Sequence, residues 1–280
     1  MVGFGMRFSK RPAQILTPSI RHCLSNLVRA GGAKWQRAAV AAALSWPAPG
    51  PMTEALTVTR PRTSRRRKGD AVTSERQAGP SEVERLEQLW AGDFGRRYAD
   101  RNADAGSTRQ PFWSSFLASH PAERVLEVGC NAGANLQWIA QIVGPGNVYG
   151  LDVSGDAINE LHARLPSVNA ICGVARDLPF RDAWFDLCFT AGVLIHQPEE
   201  SLPAVMAEIV RVSRQYVLCG EYYSPEVMEV DYRGQTGALF KRDFGRVYLE
   251  NFPSLKMVDE GFLGRDEGWD DITWWLLEKR

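Results

Sequence analysis

From residue 124 the chain alternates short apolar runs with longer stretches in which apolar residues recur every three or four positions. These are the periods of strand and helix. The runs at 125–128, 148–153, 168–172, 185–189 and 216–220 predict five strands. Between them, Leu136, Ile139 and Val143 form one helical stripe, Ile158, Leu161 and Leu165 a second, and Leu202, Val205, Ile209 and Val212 a third, on a helix expected over 199–214. Strands that are apolar almost throughout and separated by amphipathic helices imply a parallel sheet covered on both faces. Two more runs, 255–258 with Phe262 and 272–277, are expected as closing strands. Trp274 and Trp275 must face opposite sides of the last one. The intervening stretch 222–251 lacks a clean period and is rich in aromatic, Gly and charged residues, as a lid or substrate loop would be.

Ahead of the first strand the pattern is helical. Ser81 is an N-cap with Glu84 as its capping-box partner, and Val83, Leu86, Leu89 and Trp90 follow at helical spacing. Phe94 and Tyr98 mark a short second helix, and Phe112, Trp113, Phe116 and Leu117 the apolar face of a third over 111–119. Residues 1–79 show no comparable patterning, so the folded domain is expected over 80–280.

Charge sharpens that division. The first 70 residues hold 13 Lys and Arg against Glu54 and Asp70 alone, which leaves 20 basic and 31 acidic side chains in residues 71–280. A transit peptide, a nucleic-acid-binding arm or an upstream segment without function each accounts for the basic stretch, which culminates at residues 60–68. A charge run without interleaved aromatics favours a solvated, disordered extension. No apolar stretch approaches the ~18 residues of a membrane span. The five cysteines form no C-x-x-C pair and read as buried thiols of a reducing, cytoplasmic protein without a disulfide or metal framework.

Ligands of open parallel sheets bind beyond the carboxyl ends of the strands, where the strand order reverses. This chain places there Glu127 and the turn Gly129-Cys130-Asn131-Ala132-Gly133, then Asp152, Ala175-Arg176-Asp177, Thr190-Ala191-Gly192 with His196, and Glu221-Tyr222-Tyr223. Asp152 follows Gly129 by 23 residues, the separation that brings a second-strand acid to a ribose. The turn has Gly-x-x-x-Gly spacing and not Gly-x-Gly-x-x-Gly, and Glu127 would repel a pyrophosphate. A nucleoside bearing an ammonium and a sulfonium is the better electrostatic match.

These segments resemble the class I S-adenosylmethionine-dependent methyltransferases. Residues 127–133 look like their acid-x-Gly-x-Gly-x-Gly motif, 151–154 like the ribose-binding motif, 173–180 like the adenine loop and 184–188 like the fourth-strand motif. Asn131 stands in place of the usual middle glycine, and Val174 where many relatives carry an acid. The resemblance implies a Rossmann-like α/β sheet of order 3-2-1-4-5-7-6 in which only the last strand runs antiparallel. It implies that S-adenosylmethionine is held by Glu127, Gly129, Cys130, Asn131, Gly133, Asp152, Val153, Ala175, Arg176, Asp177 and Ala191, and that Tyr98, Arg101 and Asn102 cover its methionine end. Residues 87–95, 232–234, 237–245 and 274–279 further resemble methylases associated with biosynthesis of pseudaminic acid and related surface sugars.

The expected activity is methylation of a small molecule, a sugar or sugar nucleotide, at oxygen or nitrogen. His196 and Glu221 are the candidate bases, and Tyr222, Tyr223, Tyr232 and Arg233 the candidate acceptor-binding residues. Each has a plainer role available: structural hydrogen bonding for His196, a surface carboxylate for Glu221, and lid core for the tyrosines. No metal and no membrane partner are expected. Two rivals are an RNA methyltransferase using the basic arm and a non-catalytic scaffold of the same fold.

Overall fold

The computed structural model describes residues 81–101 and 106–280. The basic extension expected over 1–79 and Asn102 lie outside them. Three helices lead in: α1 (Glu82–Ala91), α2 (Asp93–Arg101) and α3 (Gln110–Ser119). At α1 the Ser81 side chain accepts from the Glu84 N–H while the Glu84 carboxylate accepts from the Ser81 N–H, so the expected capping box forms.

The βα alternation then runs β1 (Val125–Val128), α4 (Leu136–Val143), β2 (Val148–Asp152), α5 (Gly155–Arg164), β3 (Asn169–Cys172), β4 (Phe185–Ala191), α6 (Leu202–Val212) and β5 (Ser213–Glu221). A two-residue pair follows, β6 (Met228–Glu229) with β7 (Phe240–Lys241), then α7 (Phe244–Asn251), β8 (Leu255–Leu263) and β9 (Ile272–Lys279). The seven-stranded sheet has the order β3-β2-β1-β4-β5-β9-β8. Strands β1 to β5 pair in parallel, and β9 is antiparallel to both neighbours. This is the expected 3-2-1-4-5-7-6 arrangement, with the labels shifted by the small β6–β7 pair. The order reverses between β1 and β4, which puts the switch point at the end of β1.

Alternation along the strands divides the core. Leu126, Val128, Cys188, Val217, Cys219 and Leu277 face a layer under α6 and α7. Val125, Leu187, Phe189, Leu218 and Leu276 face the other layer, under α3, α4 and α5. Trp275 is buried in the first layer and Trp274 packs partly buried against the second, as alternation requires.

Two local expectations need revision. Residues 222–251 are not all loop: Asp243 caps α7 by accepting from the Arg246 N–H, and Phe244 and Tyr248, one turn apart, are buried. Helix α6 begins at Leu202, three residues later than expected, with Pro203 in its first turn. Cys130, Cys188 and Cys219 are buried free thiols.

Trp113 joins the lead-in helices to the sheet: it is 1% exposed, its ring lies 4.7 Å from that of Phe189, and its indole N–H donates to Asn135 Oδ1 at 3.3 Å. Trp113→Ala should therefore cost about 3–5 kcal/mol in chemical denaturation, the range for emptying a buried aromatic site. A loss below about 1 kcal/mol would mean α3 is not part of the cooperative core.

Candidate functional site

Glu127 sits at the carboxyl end of β1 with 2% of its surface exposed. Asn135 Nδ2 donates to its Oε1 at 2.6 Å, while its Oε2 is buried without a partner among the described residues. Burial pushes its pKa up to about 8, against the Asn135 hydrogen bond and the nearby Arg109 charge, which favour ionisation. Asn135 Oδ1 in turn accepts from Arg109 Nη1 at 3.1 Å and from Trp113. Arg109 also donates from Nε to the Gly268 carbonyl and stacks 4.0 Å from the centre of the Trp269 ring. A carboxylate and a guanidinium thus share one amide and open on the same cavity, of about 210 Å³.

The turn after β1 is shaped by left-handed backbone at Gly129 (φ 80°), Asn131 (φ 46°) and Gly133 (φ 83°). Asparagine is one of the few side chains that tolerates this region, so Asn131 fills a place where glycine is usual without changing the turn. A Cβ at Gly129 would come within 2.3 Å of Val193 Cγ2, so this position also needs the missing side chain for close approach. The Asn131 N–H donates to Asp152 Oδ2 and the Ser154 N–H to Asp152 Oδ1, both at 2.8 Å. Asp152 is thereby held at the end of β2 facing the cavity, with burial raising its pKa and the backbone N–H groups opposing that rise.

The remaining walls come from the other strand ends and from α1. Val153, Ala175, Arg176 and Ala191 line the cavity with Glu127, Gly129, Cys130, Asn131 and Asp152. Arg176 is bidentate to Glu87 of α1, at 2.6 and 3.1 Å, so its charge latches that helix over the site. Gly133 is set back against Leu161 and Leu165, and Asp177 is exposed outside the lining.

His196 lines the cavity and is 8% exposed. Its Nδ1 lies 2.5 Å from the Ala238 carbonyl, and burial lowers its pKa to about 4. Tyr222 and Tyr232 also line the cavity. Tyr223 is 47% exposed beside Trp275, and Arg233 is exposed with its guanidinium 5.7 Å from the Tyr232 ring centre, so neither joins them.

Glu221 takes a different place from the one expected of a base facing the methyl donor. It is fully buried outside the lining, and its two oxygens accept from the N–H groups of Val193, Leu194 and Ile195 at 3.0–3.2 Å. Burial raises its pKa to about 7 despite those bonds. It staples the turn that carries Val193 and His196. The alternation that predicts which residues end a strand does not say which of them bends back under the following turn.

Five lining residues escaped the sequence-based assignment to the site or were given only a lesser part: Trp90, Tyr98, Arg109, Trp269 and Asp270. They come from the lead-in helices and from the loop before β9, far from the strand-end motifs. The apolar spacing that put Trp90 in a helical stripe was a true signal of packing. Its rings partners, Phe94, Tyr98, His196 and Tyr232, are within 6.3 Å. Among the described residues no group of His, Cys, Asp and Glu side chains could hold a metal, and no helix is long and apolar enough to cross a membrane.

A carboxyl whose pKa is raised by folding binds its proton more tightly in the folded state, so its contribution favours folding at low pH and is lost as pH climbs toward the folded pKa. For Glu127 and Glu221 that window runs from the ordinary carboxylate range to about 8 and about 7. The stability of the ligand-free protein should accordingly fall between about pH 5 and about pH 8, and Glu127→Gln should flatten part of the fall and exceed the wild type at the alkaline end. Denaturant midpoints across that range provide the check, and equal slopes for the two proteins would count against the burial of Glu127.

Residues 125–215 match the sequence model of the methyltransferase domain family. An uncharacterized methyltransferase of Synechocystis is 31% identical over 96 residues, 34% of this chain and 44% of the relative. An uncharacterized 37.1 kDa transposon protein of Streptomyces fradiae is 33% identical over 141 residues, 49% of this chain and 37% of the relative. The alignments thus span less than half of these relatives' own lengths. Among solved structures, the Burkholderia thailandensis 1,6-didemethyltoxoflavin-N1-methyltransferase, with its substrate and S-adenosylhomocysteine bound, superposes with a TM-score of 0.57 at 18% identity, covering 72% of this chain and 92% of that one. The Synechocystis magnesium protoporphyrin IX methyltransferase, with S-adenosylhomocysteine bound, reaches 0.54 at 14% identity over 70% of this chain and 98% of that one. Residues 125–215 are thus similar to the methyltransferase domain family, and the chain shares the α/β fold of these solved structures.

Proposed function

We propose that the protein is an S-adenosylmethionine-dependent methyltransferase acting on a small molecule, a sugar or sugar nucleotide, at oxygen or nitrogen. The observation that carries the cofactor assignment is the pairing of Glu127, whose Oε2 is buried and unpartnered, with Arg109 on one cavity. A buried acid and base joined through one amide are complementary to the ammonium and carboxylate of an amino acid. Asp152 spends one lone pair of each oxygen on the turn and keeps the others for two ribose hydroxyls. The residues present therefore fit the cofactor, which supplies a methyl group on a positively charged sulfur.

What the chain itself contributes is placement. Arg176 and Glu87 draw α1 across the site, and the aromatic rings of Trp90 and Tyr232 pack against that of His196. In-line displacement gains most from such positioning. The rings offer flat faces suited to the apolar face of a sugar, and the superposed methyltransferases act, by their names, on small molecules such as a toxoflavin precursor and a porphyrin. The resemblance to surface-sugar methylases supports the same class of acceptor.

The rival RNA reading draws on the basic run at residues 60–68 alone. Residues 81–280 hold 19 basic and 30 acidic side chains, which disfavours a phosphate backbone. Salt-sensitive RNA binding lost with residues 1–79 would favour that rival.

Titration of the protein with S-adenosylhomocysteine in a calorimeter tests the cofactor assignment. Binding is expected, with Asp152→Ala and Arg109→Leu each weakening it about 10- to 100-fold through loss of charged hydrogen bonds, while both variants stay folded. Absence of binding to the wild type would leave a scaffold that has kept only the fold.

A further inference from the structure

Arg109 reaches the cavity from a short connection whose place is set by backbone contacts, not by a strand end. Gly106 has φ 83°, a Cβ there would come within 2.8 Å of the Ala134 carbonyl oxygen, and Trp138 Nε1 donates to the Gly106 carbonyl at 2.6 Å. Residues 106–109 therefore lie against α4. Their second support is the turn before β9, which is closed by its own bonds: the Gly264 N–H donates to Glu267 Oε2, and the Trp269 N–H to the Gly264 carbonyl, both at 3.1 Å. The two segments meet at one seam. Thr108 Oγ1 donates to the Glu267 carbonyl at 3.1 Å, Arg109 Nε donates to the Gly268 carbonyl at 2.9 Å, and Gly268 has φ 83° with its Cβ position 2.0 Å from Thr108 Oγ1. Glycine alone fits that place.

The seam decides what Arg109 can offer a ligand. Nε is spent on Gly268 and Nη1 on Asn135 Oδ1, and the Trp269 ring centre lies 4.0 Å from the guanidinium, so the planar fork is held in one orientation. Nη2 has no hydrogen-bond partner among the described residues, on a side chain that lines the cavity. Burial disfavours the Arg109 charge, and the lining acids Glu127 and Asp270 support it. A ligand with an ammonium and no carboxylate would satisfy Glu127 and leave a partly buried guanidinium without an anion, the costly outcome for a desolvated charge. We propose that the turn at residues 264–270 is a positioning element that aims Arg109 through Gly268 and Thr108, and that it makes the α-carboxylate of the nucleoside's amino-acid arm a condition of tight binding. This rests on the methyltransferase reading and deepens it: the site selects nucleosides that carry a complete amino acid over those that have lost the carboxyl group. Gly268 and Thr108 stand outside the lining and act through Arg109.

The test compares two ligands of the full-length protein by calorimetry: S-adenosylhomocysteine and S-adenosyl-3-thiopropylamine, the same molecule without its carboxyl group. The wild type should bind the first about 10- to 100-fold tighter, the worth of a charged hydrogen bond. Gly268→Ala drives a side chain into Thr108 and should cut that ratio to about threefold or less by weakening S-adenosylhomocysteine, with the affinity for the amine unchanged. Thr108→Val, which keeps the shape and removes the donor, is the milder variant and should lower the ratio in the same direction, whereas Thr108→Ser should retain it. In an Arg109→Leu background, Gly268→Ala should change the affinity for S-adenosylhomocysteine by less than about twofold, because the group it positions is already gone. A wild-type ratio near one, a ratio that Gly268→Ala and Thr108→Val both leave intact, or equal weakening of both ligands overturns the proposal while S-adenosylhomocysteine still binds the wild type. Failure of S-adenosylhomocysteine to bind the wild type overturns both readings.

Discussion

Glu127 is shut off from water at the end of the central strand and hydrogen-bonded through only one of its oxygens. A charge in that position is costly unless something neutralises it, and the free protein answers by holding the proton up to about pH 8. Much of the surrounding structure follows from keeping this group ready. Asn135, at the start of α4, fixes one oxygen, and Trp113 and Arg109 fix Asn135. The lead-in helix α3 is thus connected to the sheet by the same amide that orients the acid.

The contrast with Glu221 shows what distinguishes a buried acid that binds from one that braces. Both end strands of the same sheet and both have raised pKa values. Glu221 is satisfied by three backbone N–H groups of the 193–195 turn and stands outside the cavity lining. Glu127 has one side-chain donor and an oxygen left over. Asp152 lies between these cases, with one N–H on each oxygen and lone pairs to spare. Counting the partners of each oxygen separates the three roles where burial alone would not.

The sheet order and the strand-end motifs were legible because they depend on local chemistry. Apolar runs, helical stripes and the glycine spacing each act over a few residues, and the fold conserves their order. The Asn131 departure became intelligible only through its φ of 46°, which asparagine tolerates. Arg109, Trp90 and Asp270 had no such signature, because their place in the site depends on where whole segments pack against the strand ends. Helix α7 was hidden by an irregular run of aromatic and charged residues, although Asp243 with Phe244 and Tyr248 one turn apart was its signal. Glu221 was misplaced because strand alternation gives the side of the sheet, and not the turn that later folds over the strand's end.

If the buried oxygen of Glu127 receives an ammonium, its proton must leave on binding. Calorimetric titration with S-adenosylhomocysteine at pH 7, in buffers of different ionisation enthalpy, counts that proton. The wild type should release about one proton and Glu127→Gln none. Cofactor binding with no proton released by the wild type would contradict it.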